Sequence, residues 1–294
     1  MTLLRDMVEE TRSMLQGTLA DEISILQGAY TPGSGAVQLQ YPKKNLQPGS
    51  LISVGLNTFY VLGADASGQN LAVHASADGG PDVAVAGGEV VRIRPRYSTW
   101  AIFREIQREI QTMSSPRSGL YAFGSFTAST NWLNGTYPLP ASWAPQQPVK
   151  LLMARYKAFG RQWWQRIEAE WQPDQNMVRI FGVQPRGGSV EFVLSFPYLT
   201  PTTLDDVAAA LGLNEFTDNI PCLGAAANLS RSGEARRNQT TAQGDSRRPN
   251  EVPPGSILGV SREFARQQQE QINDETARLV SMFGYWKPQV GLVG

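Results

Sequence analysis

The chain has 294 residues, with 26 Lys+Arg against 26 Asp+Glu, and a single Cys and a single His. Its length suggests about two domains, and 41% hydrophobic residues are enough for a sizeable core. A lone Cys excludes an intrachain disulfide framework, and one Cys with one His leaves almost no material for a zinc site or an imidazole-activated nucleophile. Zero net charge argues against a whole-molecule field that would draw in nucleic acid or an anionic membrane, so partners are expected to be recognised by shape or by a local patch.

Residues 2–15 place Leu3, Leu4, Met7, Val8, Met14 and Leu15 near helical spacing, with Glu9 and Glu10 mostly off that stripe, which predicts an amphipathic opening helix. The acidic pair falls where a signal peptide would have its apolar run, and no 18-residue apolar stretch follows. The protein is therefore expected to be soluble and made in the cytoplasm. Residues 16–30 are ambiguous. Beyond them the period changes to two in runs at 37–41, 51–54, 58–62, 71–74 and 90–94, divided by Pro-Gly and Gly-Gly pairs. A small antiparallel meander or barrel-like insert is expected over about 36–94.

Pro95 ends the last of these runs, and Ser98 or Thr99 can cap a helix whose apolar positions are Ile102, Phe103, Ile106, Ile110 and Met113. Residues 119–200 return to strands at 121–123, 149–156, 163–171, 177–181 and 190–194, which predicts a second antiparallel sheet or sandwich. Helices are expected from Thr202 to Leu211, from Asn219 to Leu229, and from about Arg262 to Phe283. Between the last two, residues 230–257 hold five Arg among many small and polar residues, a composition of a mobile loop.

The titratable candidates have ordinary readings. His74 ends a strand with no orienting carboxylate or nucleophile in view, and Cys222 sits in the apolar run Ile220-Pro221-Cys222-Leu223, where it reads as a small hydrophobe. Asp205-Asp206 follow capping threonines and suit a helix N-terminus. Glu168 or Glu170 is the nearest approach to a glycosidase acid, but in an extended run both share a face with Arg166, opposite Ile167, Ala169 and Trp171, as in a half-solvated strand.

The tryptophans carry more. Trp132, Trp143, Trp163, Trp164 and Trp171 all lie in the second β region, where flat aromatic surfaces fill a core, anchor a subunit interface, or stack on a ligand such as a sugar ring. Trp163 and Trp164 are adjacent and point to opposite faces if extended. Arg231, Arg236, Arg237, Arg247 and Arg248 read as a solvated linker or as a segment facing DNA phosphates.

The order of these segments resembles a known family. The opening helix, the β insert, and a strand running through Arg94-Pro95-Arg96-Tyr97 into the Ser98-Thr99 helix resemble the N-terminal half of head-to-tail connector proteins of long-tailed bacteriophages. The stretch Asn219 to Leu229, the polar spacer with Arg236-Arg237, and the Arg262 to Phe283 helix resemble the paired helices of connector adaptors. The similarity covers about half the chain. It implies an α+β fold, with a helical connector body, a small β insert near the N-terminus and a second antiparallel β domain in the middle, divided as 1–118, 119–200 and 201–294.

The resemblance also implies a non-enzymatic virion-neck protein without cofactor or metal. It would form a homo-oligomeric ring, a dodecamer by the family's pattern, between portal and tail, with a channel for the genome. Its partners would be the portal protein, a tail-side stopper or terminator protein and the passing DNA, with no membrane. The apolar segment after the last helix matches the family's portal-docking element, through Tyr285, Trp286, Lys287, Val290 and Leu292. Zero net charge suits a conduit, since a strongly basic wall would hold the genome. The alternative from another class is a carbohydrate-binding or baseplate receptor-binding module using exposed tryptophans.

Overall fold

A computed structural model describes residues 2–17, 21–115, 118–130, 135–143, 146–182, 187–242 and 256–283, with the backbone alone at 233–242 and 256–257. Its contacts divide the chain into two compact units. The first comprises Met1–Glu109, Pro201–Ala209 and Asn214–Gln271, the second Ile110–Thr200, Ala210–Leu213 and Ile272–Gly294.

In the first unit, α1 (Leu4–Gln16) buries Leu4, Met7, Val8, Thr11 and Arg12 on one stripe. The first-turn amides of a helix lack intrahelical partners. Here Leu4 and Arg5 donate to the carbonyls of Asp206 and Leu204 at 3.0 and 2.9 Å, and the Asp6 carboxylate accepts from the Leu3 amide. Strands β1 (Glu22–Ile25), β2 (Ala36–Gln38), β3 (Leu51–Val54), β4 (Asn57–Ala64), β5 (Asn70–His74) and β6 (Val90–Ile93) form one antiparallel sheet in the order β1-β6-β3-β4-β5-β2. The Leu26–Leu39 bridge, with Gln27 N donating to Gln38 O and Gln40 N to Ile25 O, joins the first strand to the last. The insert is thus a small closed barrel, which removes both sheet edges.

Alternation points Leu26, Leu39, Ile52, Phe59, Val61, Leu71, Val91 and Ile93 into the barrel, where they are buried together. Tyr30 packs edge-on against Phe59 at 4.9 Å and donates its hydroxyl to Asp82; burial and that bond push its ionisation up to about 12. Leaving β6, Arg94 adopts a left-handed φ of 49°. Its amide donates to Leu51 O and its guanidinium to Asn45 O, so the chain turns out of the barrel at this residue. Ser98 Oγ then accepts from Ala101 N at 3.1 Å, capping α2 (Thr99–Met113). The unit also holds all of α3 (Asn219–Ala242), which packs against α1, and the first part of α4 (Ser256–Phe283). Ser261 donates to Ala227 O, tying α4 to α3.

In the second unit, β7 (Ala122–Ser129), β9 (Lys150–Ala158), β10 (Gln165–Arg166) and β13 (Gly188–Phe196) form a sheet in the order β10-β9-β13-β7. A second sheet holds β8 (Thr136–Pro138), β11 (Ala169–Gln172) and β12 (Met177–Ile180) in the order β11-β12-β8. Tyr137, Val178 and Ile180 of the second sheet share a core with Ala154, Val190, Phe192, Leu194 and Phe196 of the first, so the two face each other as a sandwich. Phe192 sits among rings, 5.2 Å from Phe126 and 5.1 Å from Tyr137.

These findings correct the expected fold. The described residues form four helices and three antiparallel sheets of thirteen strands, a β-rich mixed protein and not a helical connector body with a small β insert. The physical reason is that each β region closes on its own core, so neither is an insert that leans on a helical body. Segment 202–211 is not the expected α-helix; it is a turn followed by a 3₁₀ segment at Ala208–Leu211. The presumed loop over 230–257 is helical through Ala242 and again from Ser256. β1, in the ambiguous region, closes the barrel. No helix among the described residues is long and apolar enough to cross a membrane.

Candidate interaction surfaces

Among the described residues, an exposed aromatic cluster lies at the turn joining β9 to β10. The two strands pair antiparallel with Gln165 opposite Tyr156 and Arg166 opposite Arg155. Gly160 makes the reversal at φ +77°, open on all sides, and Arg161 N returns a bond to Ala158 O at 3.1 Å. That geometry leaves Phe159 92% exposed and Trp163 55% exposed. The Arg161 guanidinium lies 5.0 Å from the Trp163 ring centre, and Arg155 and Lys157 lie 4.9 and 5.8 Å from that of Trp164. Cation–π contacts at such sites are worth about 0.5–1 kcal/mol each, which favours the rotamers that lay both indoles on the hairpin. Arg155 also pairs with Glu191 on β13, and Tyr156 donates its hydroxyl to Gly187 O. From Lys150 through Ile167 the sequence carries five cations and no carboxylate. A cationic finger with an apolar tip results.

The structure separates the four tryptophans of the expected interface or ligand platform. Trp143 packs edge-on against Phe126 and Phe196, with centroids 5.3 and 5.0 Å apart, and Trp171 packs against the sandwich core, so these two are structural. Trp163 and Trp164 remain on the hairpin. The run 163–171 is not one strand: β10 pairs with β9 in one sheet, β11 with β12 in the other, and the chain changes sheets at Ile167–Glu168, whose backbones bond to Ala154 and Phe181. Trp132 lies outside the described residues.

The remaining candidates are scattered. Glu168 and Glu170 point outward, opposite the core-facing Ile167, Ala169 and Trp171. Asp205 pairs with Arg5. The Asp206 carbonyl accepts from the first turn of α1, but its carboxylate caps no helix; burial pushes that carboxyl up, but bonds from the amides and hydroxyls of Thr202 and Thr203 outweigh this and hold it below the usual range. His74 is exposed at the end of β5, across from Tyr60. Cys222 is buried in α3, and burial pushes its thiol up to about 12. Among the described residues no group of three or more His, Cys, Asp or Glu is placed to hold a metal.

Arg231 is exposed on α3, and Arg236 and Arg237 belong to its helical backbone, whereas Arg247 and Arg248 lie outside the described residues. So do Tyr285, Trp286, Lys287, Val290 and Leu292 of the expected docking tail.

Two features escaped sequence reasoning. Phe159 carries a usable signal, a large apolar residue beside Gly160 in a wholly cationic stretch. The second is a cleft of about 570 Å³ at the start of α2, lined by Leu51, Tyr60, Arg96, Tyr97, Trp100 and Arg104 among others. The buried Trp100 Nε1 has no hydrogen-bond partner among the described residues, and Asp78 in the same lining offsets one of the two cations. No sequence pattern predicts it, because its walls come from the barrel, α2 and α3.

The chain matches no family model and no curated protein.

Proposed function

We propose that this chain is a structural virion protein, a head-to-tail connector adaptor whose copies form a ring between portal and tail and leave a channel for the genome. The observation that carries the proposal is the outer wall of the barrel. Its interior is filled, yet Ile23 and Val90 on the adjacent strands β1 and β6, and Tyr60 and Leu62 on β4, are large apolar side chains left in water. They form two exposed pairs, on either side of the buried Ser53 and Thr58, and each suits contact with a neighbouring copy. The junction from β6 through Arg94-Pro95-Arg96-Tyr97 into α2 supports the same reading, since it follows the segment order of the connector resemblance. Tyr97 OH reaches Leu229 O on α3, and Arg12 of α1 donates to Tyr97 O at 2.9 Å, so the segment ties three helices to the barrel. In this reading residues 284–294 dock on the portal and the arginines after Leu229 face the passing DNA.

Electron microscopy of the purified protein and of virion necks tests the proposal. A ring with an axial channel wide enough for duplex DNA is expected; a monomer at all concentrations, absent from virion necks, overturns it. Deleting 284–294 is expected to leave the melting curve unchanged and abolish binding to the portal protein. Glycan binding lost in Trp163→Ala and Trp164→Ala variants would favour the receptor-binding alternative instead.

A further inference from the structure

We infer that the β9–β10 hairpin is the element by which one copy seats on a second copy of this chain, with Phe159 as the apolar anchor and Trp163, Arg161 and Lys157 around it. The inference rests on the ring reading and supplies the contact that such a ring needs.

The zero net charge conceals an asymmetry. By sequence count, the unit containing the barrel has 16 Lys+Arg against 20 Asp+Glu, whereas the unit containing the sandwich has 10 against 6. A basic projection and an acidic body are therefore present on every copy at equal concentration. A contact between two unlike surfaces is head-to-tail, and rotation can close it into a ring. Unlike charges would also set its register and quicken the encounter.

The finger has the make-up of an interface centre. Tryptophan and arginine dominate such positions, and their loss commonly costs an interface most of its energy. Here the cation–π contacts favour the packed rotamers of both indoles before any partner arrives, so less side-chain freedom is lost on binding. Phe159 makes the case against a purely solvated loop, because a phenyl ring exposed at 92% gains on any apolar contact. A polyphosphate partner fits less well: Arg155 is already committed to Glu191, and one face of each indole is covered by a cation and unavailable for stacking on a base.

The test places the photo-crosslinker p-benzoylphenylalanine at position 159 of the full chain, with irradiation during assembly and mass spectrometry of the adducts. Crosslinked multimers are expected, joined to peptides of the acidic unit. In parallel, Phe159→Asp and Arg161→Glu are expected to weaken self-association by about tenfold or more in sedimentation, with unchanged melting curves because both side chains lie on an exposed turn. Adducts confined to co-purifying nucleic acid or lipid, or variants that assemble like the wild type, overturn the inference. If wild-type rings form and both variants form them equally well, the hairpin contact falls and the ring reading stands; if the wild type never assembles, both fall.

Discussion

The Cβ that Gly224 lacks would overlap a carboxylate oxygen of Glu109. That empty space in α3 admits a polar clamp: Glu109 on α2 accepts from Asn228 Nδ2 of α3 at 2.8 Å and from Gln268 Nε2 of α4 at 2.7 Å. A glycine inside a helix costs about 1 kcal/mol relative to alanine, whereas hydrogen bonds to a charged group contribute about 1.5–3 kcal/mol. The clamp therefore outweighs the helix penalty.

Gly224→Ala is accordingly expected to destabilise the first unit by about 1 kcal/mol, despite alanine's better helix propensity. In a Gln268→Ala background, where part of the clamp is already gone, the same change is expected to be near neutral. Urea denaturation of the four proteins of this cycle measures the coupling; equal effects of Gly224→Ala in both backgrounds would refute it.

Arg12 is the second joint. Its side chain is 3% exposed, 3.4 Å from the similarly buried Asp21, and it donates to Tyr97 O and Thr99 Oγ1, both at 2.9 Å. Burial, followed by repulsion from Arg92, lowers its pKa, so the guanidinium is held by its partners against desolvation. Arg12→Ala strips the Tyr97 carbonyl and the Thr99 hydroxyl of a donor, while Asp21 keeps Gln16 and Arg92, and a loss of about 2 kcal/mol is expected in urea unfolding. Arg12→Lys is expected to recover little, because one ammonium cannot span the same acceptors.

Gly188 opens β13 at φ +135°, and a Cβ there would overlap Lys157 O on β9. Gly188→Ala is expected to cost about 1–3 kcal/mol through backbone strain. Because Gly188 pairs with Ala158, next to Phe159, the variant is also expected to loosen the hairpin. Faster amide exchange at 157–161, with the barrel unchanged, would show this.

Cys222 gives a pH dependence with a definite sign. Its ordinary value of 9.0 rises to about 12 in the folded chain through burial. The unfolded thiol ionises first, so the stability from this group is complete below pH 9 and declines as pH rises toward 12, by about 1.4 kcal/mol per pH unit. Cys222→Ala is expected to lack that component of the alkaline slope, which equilibrium unfolding of both proteins from pH 8 to 11 measures. Alkylation at pH 8 is likewise expected to be slow until urea is added.

Local pattern sufficed where one segment answers to itself. The helical spacing of Ile102, Phe103 and Ile106, the Ser98 cap, and the alternation from Leu51 through Val73 placed α2 and most barrel strands. The same alternation put Glu168 and Glu170 outside and Ile167, Ala169 and Trp171 inside. Where an outcome depended on distant segments, pattern had no purchase. Residues 22–25 became β1 because Val90–Ile93 pairs with them, and adjacency alone could not tell that Trp143 fills a core while Trp163 stands in solvent.

Length, neutrality and the single Cys and His were settled by sequence alone, because composition does not depend on how the chain folds. Tertiary structure decided that the strands close on two separate cores, one in each β region. It also decided that, among the described residues, the aromatic side chain most available to a partner is Phe159, since exposure follows from which segments meet and which are left at a turn.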